Sequence, residues 1–271
     1  MANLYFFGNS TSSQMFGCMI CTDDKTIVFD GGTKGDHIQL LNIINQKAKG
    51  HIDAWFFTHP HHDHIGAFLQ MFRNNPEIEI DKILFRFPSI ELLKKYGMRY
   101  EDEPAMWTEF DDLMNVRFCD KVYHIETGDV FDFGEVKVNV LRVFNPEITG
   151  DFVNNSSAVY RIDSSENRIL ILGDLGVDGG EEVMNNCSAE SLQADYTQLA
   201  HHGQGGVNEK FYQYIKPKRC LWASPEWLWN NDNGNGFDTG PWATVITRSW
   251  MEKLGVEEHF VEKDGTVEIV F

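Results

Sequence analysis

Apolar residues occur in short runs separated by polar turns, a pattern that predicts β-strands in both halves of the chain. The predicted strands cover residues 4–7, 16–21, 26–29, 54–57, 82–87, 121–125, 130–133, 136–144, 158–162, 168–172, 196–200, 219–223, 259–262 and 266–271. Helical spacing of apolar residues predicts helices at 36–49, 65–74, 180–184, 188–193, 209–215 and 244–254. Each group of strands is therefore followed by helices.

This order of elements predicts an α+β fold, because two sheets packed together with helices outside form a four-layer αββα sandwich. Residues 1–271 are enough for a full core, and we expect them to form a single domain. Two stretches depart from the regular pattern, a helical insert near 89–118 and an aromatic loop near 224–243. The aromatic loop is either a wall beside a binding site or a loop closed by its own aromatic cluster.

The segment with the clearest chemistry follows the apolar run at 54–57. His59, His61, Asp63 and His64 lie between a predicted strand and a predicted helix, where side chains converge at the carboxyl edge of a sheet. Neutral imidazoles and a carboxylate are ligands of zinc, iron and manganese. The alternative is a solvated, histidine-rich surface loop. The residue types thus predict a divalent metal site, with Zn first and Mn or Fe as alternatives.

This His-x-His-x-Asp-His pattern resembles the signature of the metallo-β-lactamase superfamily. The resemblance implies a metallo-β-lactamase-type sandwich. It also implies that His59 and His61 bind one metal and that Asp63 and His64 bind a second. His62 occupies a variable position of the signature and receives no role.

The same resemblance implies two ligands from later loops. Asp174 follows an apolar strand and Gly173 and is similar to the carboxylate that bridges the two metals in the family. The last ligand comes from the pair His201 and His202. His202 is the preferred ligand and His201 the neighbour that contacts the substrate, and the reverse assignment stays open.

One ligand of most binuclear members is missing, since residues 151–157 contain no histidine for the first metal. Asn-Ser, Gly-Asp-Leu and Ala-His-His-Gly at 155–156, 173–175 and 200–203 resemble the hydrolase domain of bacterial competence DNA-uptake channel (ComEC-like) proteins and its free-standing relatives. The first metal would then have His59, His61, Asp174 and either Asn155 or water. We expect it to bind more weakly than the second.

Composition bears on partners and location more than on chemistry. The net charge of −18, from 23 basic and 41 acidic residues, disfavours extended duplex nucleic acid and membrane surfaces. A small-molecule or single-stranded anionic substrate that reaches a metal pocket remains compatible with it. The odd number of cysteines, five, favours a reducing, cytoplasmic compartment, and we expect Cys18 and Cys21 to be ordinary strand residues. No secretory signal or membrane-spanning run is expected.

The resemblance implies a metal-dependent hydrolase that uses metal-bound hydroxide, on a phosphodiester or similar small ester. In this interpretation Asp63 orients the water and accepts its proton, and His201 contacts the oxyanion or assists the leaving group. A lactamase is disfavoured, because Asp174 replaces the cysteine common at that place in many lactamases. The alternative is a non-catalytic or weakly active metal-binding member with an incomplete first metal site.

Overall fold

The computed structural model describes residues 2–74 and 76–271. They form two seven-stranded sheets that share a common core. The first sheet contains Asn3–Phe6 (β1), Gly17–Cys21 (β2), Thr26–Asp30 (β3), His51–Phe56 (β4), Glu79–Phe85 (β5) and Val122–His124 (β6). The second contains Val130–Asp132 (β7), Lys137–Arg142 (β8), Val159–Asp163 (β9), Arg168–Ile171 (β10), Tyr196–Gln198 (β11), Arg219–Trp222 (β12) and Glu258–Val261 (β13). The last strand, Val267–Val270 (β14), returns to the first sheet.

Both sheets combine parallel and antiparallel pairing. The first has the order β14-β1-β2-β3-β4-β5-β6, in which β3 to β6 are parallel to one another. The second has the order β13-β12-β11-β10-β9-β8-β7, in which β10 to β13 are parallel. Each sheet therefore gathers the carboxyl ends of neighbouring strands at one edge, where loops from different parts of the chain can meet.

Helices cover the outer face of each sheet. The first four helices are His37–Ala48 (α1), His62–Arg73 (α2), Ile90–Tyr96 (α3) and Glu103–Val116 (α4), of which α1, α2 and α4 pack on the first sheet and α3 packs on α4. The remaining helices are Phe152–Asn155 (α5), Val177–Asn186 (α6), Ala189–Leu192 (α7), Glu209–Ile215 (α8), Glu226–Trp229 (α9) and Thr244–Leu254 (α10). One apolar cluster lies between the sheets, and one lies under the helices of each outer face. The predicted α+β, four-layer αββα sandwich is confirmed.

Strand β4 shows why one run is apolar throughout. Its alternate residues Ala54 and Phe56 face the core between the sheets. Trp55, and Phe57 directly after the strand, point the other way, into the cluster under the helices. Successive side chains of a strand point to opposite faces, so a strand covered on both sides needs apolar residues at every position. The loop that leaves β4 is thereby fixed to a rigid, buried strand.

The helix predicted at 65–74 begins earlier in the structure than the apolar spacing indicates. The structure begins this helix at His62 rather than at residue 65, which puts Asp63 and His64 in its first turn. The main-chain N–H of Ile65 already donates to His61 O. An acidic residue is favourable in the first turn of a helix, because the helix dipole is positive there. The short helices α5 and α9 were also not predicted.

The two irregular stretches have defined structure. The insert near 89–118 consists of α3 and α4. In the aromatic loop, the rings of Trp227 and Trp242 lie 4.6 Å apart, and the guanidinium of Arg248 lies 4.4 Å from the ring of Trp229. These aromatic residues pack on one another, as the self-closed alternative predicts. No helix of the described chain is both long and apolar enough to cross a membrane.

Candidate metal centre

The histidine motif brings four polar side chains into the interior at the end of β4. His59 and His64 have no exposed surface, and Asp63 and His61 are also buried. His59 Nε2 and His61 Nδ1 face each other at 3.0 Å. The loop after β4 supplies these two imidazoles, and the first turn of α2 supplies the other two groups.

The second sheet contributes the remaining residues to the same place. Asp174 follows β10, and its Oδ1 lies 3.2 Å from His64 Nε2. His202 follows β11, and its Nε2 lies 3.2 Å from Asp63 Oδ2 and 3.4 Å from Asp174 Oδ2. The structure thus assembles two groups that share one carboxylate. We call His59, His61 and Asp174 the first group. The second group consists of Asp63, His64, Asp174 and His202.

Unpaired atoms in the second group fit a divalent cation. His64 Nε2, His202 Nε2 and Asp174 Oδ1 are buried and make no hydrogen bond of good geometry, although each imidazole nitrogen lies 3.2 Å from a carboxylate oxygen, of Asp174 and Asp63 respectively. Buried polar atoms without a partner are rare in folded proteins. The other ring nitrogens are engaged, since Nδ1 of His64 lies 2.7 Å from Asp30 Oδ2 and Nδ1 of His202 lies 2.8 Å from Ala223 O. Both Nε2 atoms are left for a metal, as metal-binding histidines require.

The two groups differ in protonation when no cation is bound. Burial lowers the pKa of His61 to about 3 and that of His59 well below its usual value, so both are neutral near pH 7. Burial also acts to lower the pKa of His64, but Asp174 and Asp30 outweigh it and raise this pKa to about 10. For the same reason His202, beside Asp174 and Asp63, has a raised pKa. When no cation is bound, the imidazoles of His64 and His202 are therefore protonated beside the carboxylates of the second group.

Asp30 is a functional residue that the sequence analysis missed. It is fully buried at the end of β3 and accepts hydrogen bonds from Thr58 N at 2.8 Å and Thr58 Oγ1 at 2.6 Å. Its contact with His64 Nδ1 fixes the orientation of that ring. The sequence Asp30-Gly31-Gly32 is typical of a turn and also resembles the competence-protein subgroup, but Asp30 was assigned no role in the site. An acidic residue directly after the apolar run Ile27-Val28-Phe29 was the signal that could have identified it.

The loop at 151–157 supports the site without supplying a ligand. Asn155 Oδ1 accepts from the main-chain N–H of Gly176 and of Gly179, and Asn155 Nδ2 donates to Gly150 O. Its amide is therefore engaged by the loop backbone, and the suggestion that Asn155 ligates the first metal is not supported. Ser157 Oγ accepts from Asp174 N at 3.0 Å, which fixes the backbone at the shared carboxylate.

His201 and His202, which are adjacent in the chain, have an unusual backbone conformation. His201, His202 and Gly203 have φ values of 50°, 56° and 77°, all in the left-handed region. This region is costly for residues other than glycine, and such strain is concentrated at functional sites. His202 points into the second group, whereas the side chain of His201 is 20% exposed and its Nε2 lies 4.0 Å from Asp174 Oδ2. The structure thus brings His202 among the candidate ligands and leaves His201 beside them.

With this geometry established, comparison with known proteins identifies the family. The model of the metallo-beta-lactamase superfamily matches residues 18–216. The chain belongs to the metallo-β-lactamase superfamily, whose members are mostly metal-dependent hydrolases that bind one or two divalent metals. The resemblance inferred from the histidine motif is confirmed.

Individual relatives are more distant. ComE operon protein 3 of Bacillus subtilis (strain 168) is 25% identical over 183 residues, which are 67% of this chain and 21% of that protein. The chain thus spans about one fifth of the length of this curated relative. The metallo-beta-lactamase fold protein YhfI from Bacillus subtilis has a TM-score of 0.57 at 14% identity, with full coverage of both chains.

Two other solved structures share the fold. A diphosphatase from the PhnP family has a TM-score of 0.51 at 12% identity, covering 100% of this chain and 98% of that one. CmlA, a diiron beta-hydroxylase from Streptomyces venezuelae, has a TM-score of 0.57 at 12% identity, covering 100% of this chain and 54% of that one. At these identities the likeness shows the fold alone.

Proposed function

We propose that the protein is a metal-dependent hydrolase that acts on a phosphodiester or a similar small ester. The proposal depends on one observation: two groups of candidate ligands share Asp174. Beside this carboxylate, the buried Nε2 atoms of His64 and His202 make no hydrogen bond of good geometry. The donor set of imidazoles and carboxylates suits zinc, and also iron or manganese. We propose zinc as the metal, held by Asp63, His64, Asp174 and His202, with a weaker site at His59, His61 and Asp174.

A divalent cation at such a site lowers the pKa of water and polarises the oxygen of the bond to be cleaved. The protein residues then have separate roles. Interactions with His202 and His64 outweigh burial and hold the pKa of Asp63 well below its usual value, so its carboxylate is ionised near pH 7, where it orients the water and accepts its proton. Burial lowers the pKa of His201, so the ring is neutral and donates one N–H to a developing oxyanion.

The proposed substrate is a small-molecule or single-stranded anion, and extended duplex nucleic acid and membrane surfaces are not proposed partners. Support comes from the net charge of −18, which repels polyanions outside a metal pocket, and from the fold shared with a diphosphatase. A single domain and a cytoplasmic location are part of the proposal. The five free cysteines are compatible with a reducing compartment, and Cys18 and Cys21 lie buried in β2 as expected.

Hydrolysis by the zinc-loaded protein of bis(p-nitrophenyl) phosphate, a lactone and a thioester tests the proposal. We expect turnover of the phosphodiester that is lost with a chelator and in His61→Ala. His62→Ala is the matched control, since this neighbouring histidine has a side chain 60% exposed and lies outside both ligand groups. Tight zinc binding without turnover of any of the three esters would instead favour the non-catalytic alternative.

A further inference from the structure

Gln14 connects the two halves of the metal centre. Its Nε2 donates to Asp63 Oδ2 at 3.0 Å, and its Oε1 accepts from Gln204 Nε2 at 2.6 Å. Asp63 belongs to the ligand segment that follows β4, whereas Gln204 directly follows the His201–Gly203 segment after β11. A side chain from the N-terminal segment thus bridges the two ligand-bearing loops.

The direction of these hydrogen bonds is determined by chemistry. A carboxamide has a donor end and an acceptor end, and a carboxylate only accepts. Because Asp63 only accepts, the NH₂ of Gln14 must face it, which leaves Gln14 Oε1 to accept from Gln204 Nε2. The oxygen it contacts, Oδ2, is also the one 3.2 Å from His202 Nε2. A carboxylate oxygen has two lone pairs, so one can bind Gln14 while the other faces a cation.

The N-terminal segment is itself held in place around Gln14. Phe16 N donates to Asp63 O at 3.0 Å, and Trp227 Nε1 donates to Ser12 O at 2.7 Å. Gln39 Nε2 fixes the start of the segment through Gly8 O at 2.6 Å. The carboxamide is therefore presented to Asp63 from a backbone anchored on both sides.

We propose that Gln14 is a positioning residue of the second metal group, which orients the metal-facing oxygen of Asp63 and is itself oriented by Gln204. The inference rests on the metal centre of the proposed function. Hydrogen bonds to a ligating carboxylate contribute about 10-fold to 100-fold in metal affinity in other metal sites. Gln14 acts through Asp63 and takes no part in bond cleavage.

The test compares Gln14→Met with Gln39→Met by zinc affinity and by the absorption spectrum of the Co²⁺-substituted protein. Met keeps the length and volume of Gln without its polar groups. Gln14→Met is expected to weaken the tightest zinc site about tenfold and to change the Co²⁺ spectrum. Gln39→Met removes the more distant hydrogen bond to Gly8 O, keeps the nearer anchors at Ser12 and Phe16, and is expected to leave both unchanged. Gln204→Met is expected to give a smaller loss that does not add to that of Gln14→Met.

Wild-type affinity and spectrum in Gln14→Met would overturn the proposal, and so would equal effects of Gln14→Met and Gln39→Met. Thermal unfolding of the metal-free variants verifies that each one folds. These measurements do not depend on turnover, so they separate the two ideas. A protein that binds zinc as expected and cleaves no ester refutes the hydrolase function alone, whereas a Gln14-independent zinc site refutes the positioning role alone.

Discussion

Trp107 donates its indole N–H to the main-chain oxygen of Pro60 at 2.9 Å. Pro60 lies between His59 and His61, and Trp107 belongs to α4 of the helical insert and is almost fully buried. The insert therefore holds the backbone that presents both histidines of the first ligand group.

Replacing Trp107 by Phe keeps an aromatic ring and removes the hydrogen bond. We expect the free energy of unfolding to fall by about 1–3 kcal/mol, because the buried oxygen of Pro60 loses its partner. Urea denaturation of the metal-free protein measures this change. Trp242→Phe is the control, since the indole N–H of Trp242 has no hydrogen bond within the described chain, and equal losses in the two variants would contradict the prediction.

The second metal group has four ligands and the first has three, so we expect unequal metal binding. Dialysis of the zinc-loaded protein should leave about one metal per chain. His64→Ala should lose this retained zinc, whereas His59→Ala should keep it, because His59 belongs to the first group alone. Metal quantification after dialysis measures both results. Two zinc ions held equally tightly would refute this difference.

Zinc binding to the second group should release protons at pH 7. With its pKa raised to about 10, His64 is protonated in the metal-free protein and must lose this proton to bind a metal. His61, with a pKa lowered to about 3, has no proton to lose. Affinity at the second group should therefore rise as the pH rises toward 10, whereas protonation of His61 limits binding only near pH 3.

Calorimetric titration of zinc in two buffers with different ionisation enthalpies measures these protons directly. A binding enthalpy for the tight site that is the same in both buffers would show that no proton leaves and would contradict the assigned protonation of His64.

Asp30→Asn should weaken zinc binding without removing a ligand. The change replaces the carboxylate that contacts His64 Nδ1, and such changes reduce metal affinity about 10-fold to 100-fold. Asp53→Asn is a matched control, because Asp53 is also a buried carboxylate of the first sheet but bonds Thr26 N and Lys25 Nζ instead. Competition with a chromogenic chelator measures both affinities, and equal losses in the two variants would point to a general effect of altered folding.

Glu262 is buried, and neither of its carboxylate oxygens makes a hydrogen bond of good geometry, although the main-chain N–H of Met15 faces the carboxylate. Burial raises its pKa well above the usual value. An acid whose pKa is higher in the folded protein binds a proton on folding, so it lowers stability as the pH rises from its unfolded pKa of about 4.3 toward its folded pKa.

Glu262→Gln removes this pH-dependent cost because the amide is neutral at every pH. We expect the midpoint of thermal unfolding in the presence of chelator to exceed that of the wild type by a few degrees, about 2–4 °C per kcal/mol, at pH 8. The difference should shrink toward pH 4. Calorimetric scans at several pH values give the comparison, and a difference that grows as the pH falls would contradict the raised pKa.

The sequence predicted the parts of the fold in which local pattern and tertiary environment agree. The run at 54–57 is apolar at every position because β4 is covered on both faces, and the motif after it was clear from spacing alone. The start of α2 was misplaced because His62, Asp63 and His64 carry no apolar periodicity. Their place in a helix follows from the hydrogen bond of Ile65 N to His61 O, which no residue pattern reveals.

The residues that position the ligands were much harder to predict. Asp30 and Gln14 lie far in sequence from the histidine motif and contact it only when the strands are assembled. An isolated glutamine in a polar loop carries no signal of its own. The candidate ligands were predictable because the histidine motif is typical of one family. Their hydrogen-bond partners depend on contacts that form only in the folded chain.

The candidate ligands come from both sheets, since His64 follows β4 of the first and Asp174 follows β10 of the second. A cation between them would act as a reversible cross-link between segments that are distant in the chain. Because it would bind the folded state alone, its free concentration would enter the folding equilibrium directly. Under metal starvation we therefore expect a shorter protein lifetime in addition to lost turnover, since the population of unfolded, protease-sensitive chains rises.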